Sequence, residues 1–502
     1  MLLPDNLVER ARAMTAVQRE HGGAILAPRG TAAGRASRLD RGGLYDWVAG
    51  AVIGTLVFAW FGHAFLNYDT FYALVWGGDL AHGRTPDYGV AVAPTPHPLA
   101  ELVGLVLAPF GAAGEDLMLA AGLLALGMLT VGCFRLGREL FGIAAGLLAA
   151  AIVITRVPIL SFGIRGYVDL PTAAFVVWAA VLEARRPHRG APVLILLALA
   201  GLLRPEAWLY AGAYWLWLAA TAPDRSRIVQ WTALAAAAPL IWLGSDLLIT
   251  GNPLHSLTGT HDLAAQLGRK TGIGALPEVA PRRLGEILRL PELLAAVAGI
   301  AFTLAWMRER ARLPLAIALL NGLAYTAFAL ARLPLLGRYL FVAAAMLAVF
   351  AGAGALGWTT LGRDHPARRL WRPIGIAALA AMALFFPLQQ VDRLDVTKAD
   401  IAARDGIQAD LKELVRRPRV ERALRACPRI YVPSHRLVPL IAFWSDVRPT
   451  RIGTALQSGC VVFPANARVA RLAVLDPNEP GASLAPYTGP VQARNRSWIF
   501  AG

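Results

Sequence analysis

The sequence has few charged residues and few cysteines for its length. Only 16% of its 502 residues are Asp, Glu, Lys or Arg, whereas 56% are hydrophobic, and the mean hydropathy is +0.50. Soluble domains carry about 25% charged residues, so this balance excludes a soluble globular enzyme and predicts a membrane protein. Three cysteines are too few for a disulfide scaffold, and Cys133 lies inside an apolar run.

Several catalytic motifs are also missing. The sequence contains no Walker-type phosphate loop, no Cys pairs at zinc spacing, no HExxH and no GxSxG. The sequence therefore gives no motif support for an ATP-driven transporter, a metalloprotease or a serine hydrolase. No internal repeat is evident, which weakens a secondary transporter of inverted-repeat architecture. The motif GIAAG at Gly142 to Gly146 indicates a helix-packing face at most.

The basic residues are nearly all arginine and give a formal net charge of +16. They lie in short clusters between apolar runs rather than in one stripe. This pattern indicates membrane topology rather than nucleic-acid binding, so no nucleic-acid partner is expected.

Eleven apolar runs approach the roughly 20 residues that a helix needs to cross a bilayer. They are residues 45–66, 116–134, 141–157, 170–183, 191–203, 207–221, 229–250, 290–306, 313–331, 339–361 and 373–391. Residues 98–110 are apolar but short and flanked by Pro and Gly, which predicts a re-entrant or interfacial segment. The expected fold is an all-α polytopic membrane protein with about eleven transmembrane helices.

The arginine clusters fall on one side of this arrangement, and cytoplasmic loops retain such clusters. Residues 1–44 are therefore expected to be cytoplasmic, and 45–391 to be the transmembrane domain, with its first external loop at 67–115. Residues 392–502 predict a small extracytoplasmic C-terminal α+β domain. Cys427 and Cys460 share this external placement, which predicts a disulfide between them.

The first external loop concentrates titratable side chains. Asp69 follows the first span by a few residues, where a carboxylate is costly unless it is paired or lines a wet cavity, so it is the candidate general base. A structural cap or ion pair is the alternative. Asp79 and Asp87 are candidate substrate contacts or solvated loop residues. His97 is a candidate substrate contact, turn residue or ligand of a weakly held metal, although no metal-spacing motif accompanies it.

A second set of charged residues interrupts the later spans on the same predicted side. It comprises Asp169 in RGYVDLP, Arg204 and Glu206 in LLRPEAW, and Arg338 with Tyr339 in LLGRYLF. Arginines on the external side run against the rule that basic residues collect in cytoplasmic loops, which suggests that they have an anionic partner. A lipid phosphate is suited to this role because guanidinium binds phosphate through several donors. The alternatives are an Arg204–Glu206 pair and an Arg338 that reaches lipid headgroups. His261 belongs to a long loop that either gates the cavity or is solvated.

In these motifs the chain resembles the GT-C glycosyltransferases, particularly the protein-mannosyltransferase-like, ArnT-like and actinobacterial polyprenyl-phosphate-sugar enzymes. The resemblance implies inverting transfer of a hexose or pentose, such as mannose or arabinose, from a polyprenyl-phosphate donor. Asp69 would then be the base, and Arg338, Tyr339 and Arg204 would bind the donor phosphate. Asp169 and Glu206 would contact substrate. The resemblance leaves a requirement for a divalent ion, Mg²⁺ or Mn²⁺, open.

The composition suits a bacterial plasma-membrane protein of a GC-rich genome. The expected partners are membrane lipids, the lipid-linked sugar, and a cell-wall polysaccharide, glycolipid or protein as acceptor. Two other functions stay open at this point: a ligase for lipid-linked glycans, and a transporter or flippase that uses the same buried charges as a substrate pathway. A non-catalytic membrane scaffold whose C-terminal domain binds partners is a further alternative.

Overall fold

The computed structural model describes residues 32–222, 226–455, 459–473 and 489–502 of the chain. The described part is mostly helical, with a small sheet near the C-terminus. Residues 1–31 of the predicted N-terminal segment lie outside this description. The first ten helices are α1 (Ala32–Phe61), α2 (Tyr68–Ala81), α3 (Pro98–Leu107), α4 (Ala113–Phe141), α5 (Ile143–Ile154), α6 (Val157–Gly163), α7 (Asp169–Arg185), α8 (Ala191–Gly201), α9 (Ala207–Thr221) and α10 (Ile228–Thr250). The others are α11 (His255–Gln266), α12 (Leu276–Trp306), α13 (Arg308–Leu330), α14 (Phe341–Leu356), α15 (Pro366–Phe386), α16 (Asp392–Val415), α17 (Pro418–Ala426), α18 (Val438–Ser445) and α19 (Ala467–Ala473).

Seven segments within the described residues are long and apolar enough to cross a membrane. They are Gly43–Phe61, Ala113–Phe141, Ile228–Thr250, Ile273–Trp306, Arg308–Leu330, Gly337–Thr360 and Pro366–Val415. Helices α5 and α6 form an eighth candidate, which is bent by 67°. The chain is therefore a multi-pass membrane protein.

The structure does not confirm the count of eleven spans, because three of the predicted runs form shorter helices. Helices α7, α8 and α9 contain 17, 11 and 15 residues. At about 1.5 Å per residue they are roughly 16–26 Å long, whereas the hydrocarbon core is about 30 Å thick. Residues 98–110 likewise form a short apolar helix that ends in a 3₁₀ turn, in agreement with a segment that does not span.

Helix α14 lies at the centre of the packing, since 89% of its apolar stretch is buried. It approaches α12 and α5 closely because small residues face each other at the crossings. A Cβ on Gly354 would collide with the backbone of Ala295, and one on Gly352 with that of Ala145. Small residues let membrane helices pack through dispersion where lipid gives no hydrophobic driving force. Gly146 of the GIAAG motif packs in the same way against the backbone of α4.

Short interruptions between helices bring polar side chains to the candidate site. Helices α6 and α7 are joined through Gly166, whose φ of +64° is a conformation that glycine adopts without strain. Residues 202–206 join α8 to α9, and a 3₁₀ turn at Gly337–Leu340 precedes α14. These three connections carry Asp169, Arg204 and Arg338 respectively, or lie directly beside them.

The C-terminal part contains a five-stranded sheet of order β2-β1-β3-β5-β4. Its strands are β1 (Ile430–Tyr431), β2 (Ile452–Gly453), β3 (Cys460–Pro464), β4 (Ala493–Arg494) and β5 (Trp498–Ala501). Strand β1 is parallel to β2 and β3, whereas β5 is antiparallel to β3 and β4. Cys427 and Cys460 form the predicted disulfide, with their Cα atoms 6.0 Å apart, and it links the end of α17 to β3.

The C-terminal part shares a hydrophobic cluster with α2. Phe71 packs edge-on against Trp444, with ring centroids 5.4 Å apart. Lys412 and the Trp444 indole both donate to the Glu115 carboxylate, at 2.8 and 3.0 Å. The aromatic contact holds the C-terminal part against α2, the helix that carries Asp69, and the two hydrogen bonds hold it against Glu115 at the start of α4.

Candidate active site

Asp69 lies in the first turn of α2, where a hydrogen-bond network holds the start of the helix. Asn67 caps the helix by accepting the backbone N–H of Thr70 at 3.2 Å, and its amide donates to the Arg165 carbonyl at 2.8 Å. The Thr70 hydroxyl donates to the Gly166 carbonyl at 2.8 Å. This network ties the first turn to the α6–α7 connection, so that Asp69, which is only 8% exposed, has a fixed position.

Arg338 of the 3₁₀ turn lies between two carboxylates from different helices. Its Nη1 donates to Asp69 Oδ2 at 3.2 Å, and its Nε lies 3.9 Å from Oδ1 of Asp169, the first residue of α7. The guanidinium also lies 5.5 Å from the ring centre of Tyr167 and 5.7 Å from that of Tyr339. Aromatic faces stabilise a cation that is removed from water.

Arg204 continues the same charged cluster. Its Nη1 lies 3.4 Å from Asp169 Oδ1, and its Nε donates to Glu206 at 2.9 Å. The guanidinium stacks over the Tyr339 ring at 4.1 Å. The Arg204–Glu206 pair that the sequence left as an alternative is therefore present, but it is part of a larger cluster rather than an isolated pair.

The five groups form an alternating chain of charges in the order Asp69, Arg338, Asp169, Arg204 and Glu206. Three carboxylates and two guanidinium groups give a formal charge of −1. One oxygen of each carboxylate, and Nε of Arg338, have no hydrogen-bond partner among the described groups. Unpaired polar atoms are costly in a buried site, so this arrangement is suited to a polar ligand that completes it.

The cluster sets the protonation states of the side chains around it. Burial raises the pKa of the Asp69 carboxyl, but Arg338 and Arg436 outweigh burial and hold that pKa below its usual value. Asp69 is therefore ionised at neutral pH. Burial and the nearby Arg204 lower the pKa of His97 to about 3, so its imidazole is neutral. The carboxylates of Glu206 and Asp169 outweigh burial and raise the pKa of Arg204.

Three spaces adjoin the cluster and share lining residues. Asp69 and Arg338 line a cavity of about 410 Å³, which Tyr68, Phe162 and Tyr167 also border. The same two charged residues line a gap of about 30 Å³. His97, Arg204 and Tyr339 line both this gap and a pocket of about 150 Å³ whose walls include Trp208 and Trp242. Asp69 and Arg338 thus lie at the boundary between a larger and a smaller space.

Three predicted site residues lie elsewhere. Asp79 is at the far end of α2, ten residues and about 15 Å along the axis from Asp69, and it accepts from Arg84 at 2.8 Å. Asp87 accepts from Thr450 at 3.2 Å. His261 is exposed on α11. The structure therefore does not bring these three residues to the cluster. Asp79 and Asp87 instead pair with Arg84 and Thr450, and His261 faces outward.

Two further arginines line the 410 Å³ cavity and were missed. Arg283 comes from α12 and pairs with Glu286 at 2.7 Å, and Arg436 comes from the C-terminal part. Arg269, from the loop in which His261 was predicted, borders the cavity as well. No sequence signal distinguishes Arg283 or Arg436 from the many other loop arginines, since their role depends on tertiary packing.

The carboxylates of the cluster pair with arginines. Within the described residues, no group of three His, Cys, Asp or Glu side chains converges in metal-ligand geometry. Asp69 and Asp169 instead share the guanidinium of Arg338.

Because the charged cluster is buried, we expect the loss of one of its arginines to lower the free energy of unfolding strongly. Arg204→Met leaves two buried carboxylates without this partner, and we expect it to destabilise the protein by about 3–5 kcal/mol. Arg282→Met is the control, because Arg282 forms an exposed pair with Glu286 whose contribution is about 0–1 kcal/mol. Thermal unfolding of the detergent-solubilised variants measures both effects. Similar melting temperatures for the two variants would show that the charged chain is not a structural unit.

Comparison with solved structures gives neighbours among the oligosaccharyltransferases of the archaeon Archaeoglobus fulgidus. The structure of AglB in complex with an inhibitory peptide and a dolichol-phosphate has a TM-score of 0.49 and 14% identity, over 85% of this chain and 70% of that chain. The complex with Zn and sulfate has the same TM-score and identity, over 85% and 69%. The form tethered with an acceptor peptide that contains the NVT sequon has a TM-score of 0.47 and 13% identity, over 82% and 63%.

No protein-family model and no curated protein matches the sequence. The TM-scores of these neighbours are below 0.5 and the identities are 13–14%, so the chemistry of this chain has to follow from its own side chains.

Proposed function

We propose that this chain transfers a sugar from a polyprenyl-phosphate donor to an acceptor hydroxyl, with inversion, on the extracytoplasmic side of a bacterial plasma membrane. The observation that carries the proposal is the buried Asp69–Arg338 pair, whose unsatisfied polar atoms lie beside one cavity. Transfer from a phosphate donor requires both a base for the acceptor and a cation for the leaving group. The pair supplies one of each.

The walls of the 410 Å³ cavity are suited to a lipid-linked phosphate. Its charged lining residues are Arg269, Arg283, Arg338, Arg436, Asp69 and Glu286. Four guanidinium groups against two carboxylates give this cavity an excess of positive charge, and guanidinium binds phosphate through several donors. Its volume lies within the range of about 300–1,000 Å³ that is typical of ligand pockets.

The proposed reaction is a single displacement at the anomeric carbon. The acceptor oxygen forms the new bond to this carbon while the bond to the phosphate oxygen breaks, and the electron pair of that bond leaves with the phosphate. Arg338 stabilises the charge that develops on the phosphate, and Asp69 accepts the proton of the hydroxyl. The 150 Å³ pocket with Trp208 and Trp242 is the proposed route of the acceptor, since aromatic rings suit the apolar face of a sugar.

The other predicted residues at the cluster orient Arg338 or contact the acceptor. Arg204 contacts both Asp169 and the Tyr339 ring, and Asp169 lies beside the Nε of Arg338, so Arg204 and Tyr339 orient the phosphate-binding group rather than contact the reacting atoms. His97 is neutral and lines the gap beside Asp69, where it contacts the acceptor as a hydrogen-bonding group.

Donor binding and base strength are coupled in this arrangement. In the unliganded pair, Arg338 stabilises the ionised form of Asp69, which makes the carboxylate a weak base. A phosphate that binds Arg338 neutralises this cation, so the pKa of Asp69 rises within its buried surroundings. Asp69 therefore becomes a stronger base only when the donor is present.

Asp69→Asn tests the base directly. We expect the variant to release polyprenyl phosphate from a polyprenyl-phosphate sugar at least about 100-fold more slowly than the unchanged chain, because general-base catalysis contributes about 10²–10⁴-fold. The full chain in detergent is assayed with a panel of such donors and with polysaccharide, glycolipid or peptide acceptors, with Mg²⁺, Mn²⁺ or chelator. Asp116→Asn is the control, since Asp116 is an exposed carboxylate outside the cavity.

An unchanged rate in Asp69→Asn would remove Asp69 from the mechanism. Release only from diphosphate-linked glycans would identify a ligase instead of a single-sugar transferase. Movement of the donor lipid from one leaflet of a vesicle membrane to the other, without release of polyprenyl phosphate, would identify a transporter.

The coupling also predicts the pH dependence. The acid limb of kcat/KM reports Asp69 in the free enzyme, where Arg338 lowers the carboxyl pKa, and the acid limb of kcat reports the donor complex. Because the pKa of Asp69 rises when phosphate binds, we expect the acid limb of kcat to lie at higher pH than that of kcat/KM. Rate profiles with the donor as the varied substrate measure both limbs. Coincident limbs, or a kcat limb at lower pH, would contradict the coupling.

A further inference from the structure

A second buried charged cluster lies where three membrane helices are interrupted at the same place. Helices α5 and α6 break at Thr155 and Arg156, and α12 is kinked at Arg289, whose φ is +66°. A π-helical turn at Pro387–Val391 separates α15 from α16. The three breaks meet, because Arg156 Nη1 donates to the Leu288 carbonyl at 3.3 Å and the guanidinium lies 5.8 Å from the Phe386 ring centre.

The cluster carries an excess of positive charge. Arg289 lies close enough to repel both Arg156 and Arg393, and Arg156 also repels Arg393. Glu292 accepts from Arg156 at 2.8 Å, and Glu286, which also pairs with Arg282 and Arg283, attracts Arg393. The three guanidinium groups of the cluster thus outnumber the two carboxylates that attract them.

The buried polar atoms of the cluster are not satisfied. Arg156 and Gln390 are both 1% exposed, yet the Arg156 Nε and both ends of the Gln390 amide have no hydrogen-bond partner among the described groups. The same holds for Arg289 Nε and for Arg393 Nη1. An anion that accepts several hydrogen bonds satisfies such donors and offsets the repulsion between the guanidinium groups.

The surroundings indicate that this anion belongs to a lipid. Leu290 and Leu294 follow Arg289 on α12, and Leu384 and Leu388 lie beside Gln390; all four side chains are at least 60% exposed. All four leucines fall within segments that are long and apolar enough to cross a membrane. A phosphate at the cluster would therefore have an apolar surface beside it for hydrocarbon chains.

We propose that Arg156, Arg289, Arg393 and Gln390 form a binding site for the phosphate group of a lipid. None of these four residues lines the cavity of Asp69 and Arg338, although Pro158 and Ile287, which are close to Arg156 and Arg289 in sequence, do line it. It does not depend on the proposed transfer reaction. A resident phospholipid and a polyprenyl phosphate share the chemistry that the site recognises.

Native mass spectrometry of the full chain in detergent tests the site with three probes: phosphatidylglycerol, polyprenyl phosphate, and diacylglycerol, which has no phosphate. The test variant is Arg289→Gln/Arg393→Gln, in which both residues are only partly buried and neither belongs to an ion pair of the described residues. Arg156 is left in place because its loss would leave Glu292 buried and unpaired. The control is Arg404→Gln/Arg422→Gln, which removes the same charge from the C-terminal part. Both variants retain every residue of the proposed active site, so polyprenyl phosphate that binds there contributes equally to each of them.

We expect the test variant to bind at least one of the two phosphate lipids about tenfold more weakly, and the control to bind both as the unchanged chain does. Loss of phosphatidylglycerol binding identifies a resident phospholipid, and loss of polyprenyl phosphate binding identifies the carrier lipid. Binding within twofold of the unchanged chain for both lipids overturns the proposal. Equal affinity of the unchanged chain for diacylglycerol overturns it as well, provided that gel filtration shows both variants folded.

Discussion

The sharing of Arg338 between Asp69 and Asp169 is the interaction on which the candidate site depends. A guanidinium group in such a buried position is stable only with partners, and its two carboxylates come from helices that are distant in sequence. Their meeting requires the start of α2, the start of α7 and the turn before α14 to lie at one place. The capping network of Asn67 and Thr70 and the turn at Gly166 provide this arrangement.

Interrupted helices are the means by which this protein brings charge to the membrane region. A continuous helix satisfies its own backbone groups and presents side chains only sideways, whereas a break turns the chain and leaves room for a polar group or a ligand. The breaks at Gly166, at residues 202–206 and at Gly337–Leu340 build the Asp69–Arg338 site. The breaks near Arg156, Arg289 and Gln390 build the second, more positive cluster.

The sequence predicted much of the first cluster because charged residues are costly at the ends of apolar runs. Asp69, Asp169 and the arginines at 204 and 338 were all recognisable from that cost alone. In the sequence, Asp79, Asp87 and His261 fall between the apolar runs, where a charged or polar side chain is not costly, so the sequence carries little information about where they lie. Cys427 and Cys460 were paired correctly from their common location.

Other features could not be read from the chain because they depend on tertiary packing. Arg283 and Arg436 line the cavity through contacts between segments more than 150 residues apart, and they resemble any other loop arginine in sequence. The structure does not confirm the predicted number of spans, and hydropathy does not show where a run is divided, as in the bend between α5 and α6. Nor does it show that α7, α8 and α9 are shorter than a bilayer is thick.

In the proposed reaction, Arg338 exchanges the carboxylate of Asp69 for the phosphate of the donor. A cryo-electron microscopy structure of the full chain in lipid nanodiscs with bound polyprenyl phosphate tests this exchange. We expect phosphate density in the 410 Å³ cavity within hydrogen-bonding distance of Arg338, with the Asp69 carboxylate turned away from the guanidinium towards the gap that His97 lines. An intact Asp69–Arg338 pair, with the phosphate bound elsewhere on the protein, would contradict it.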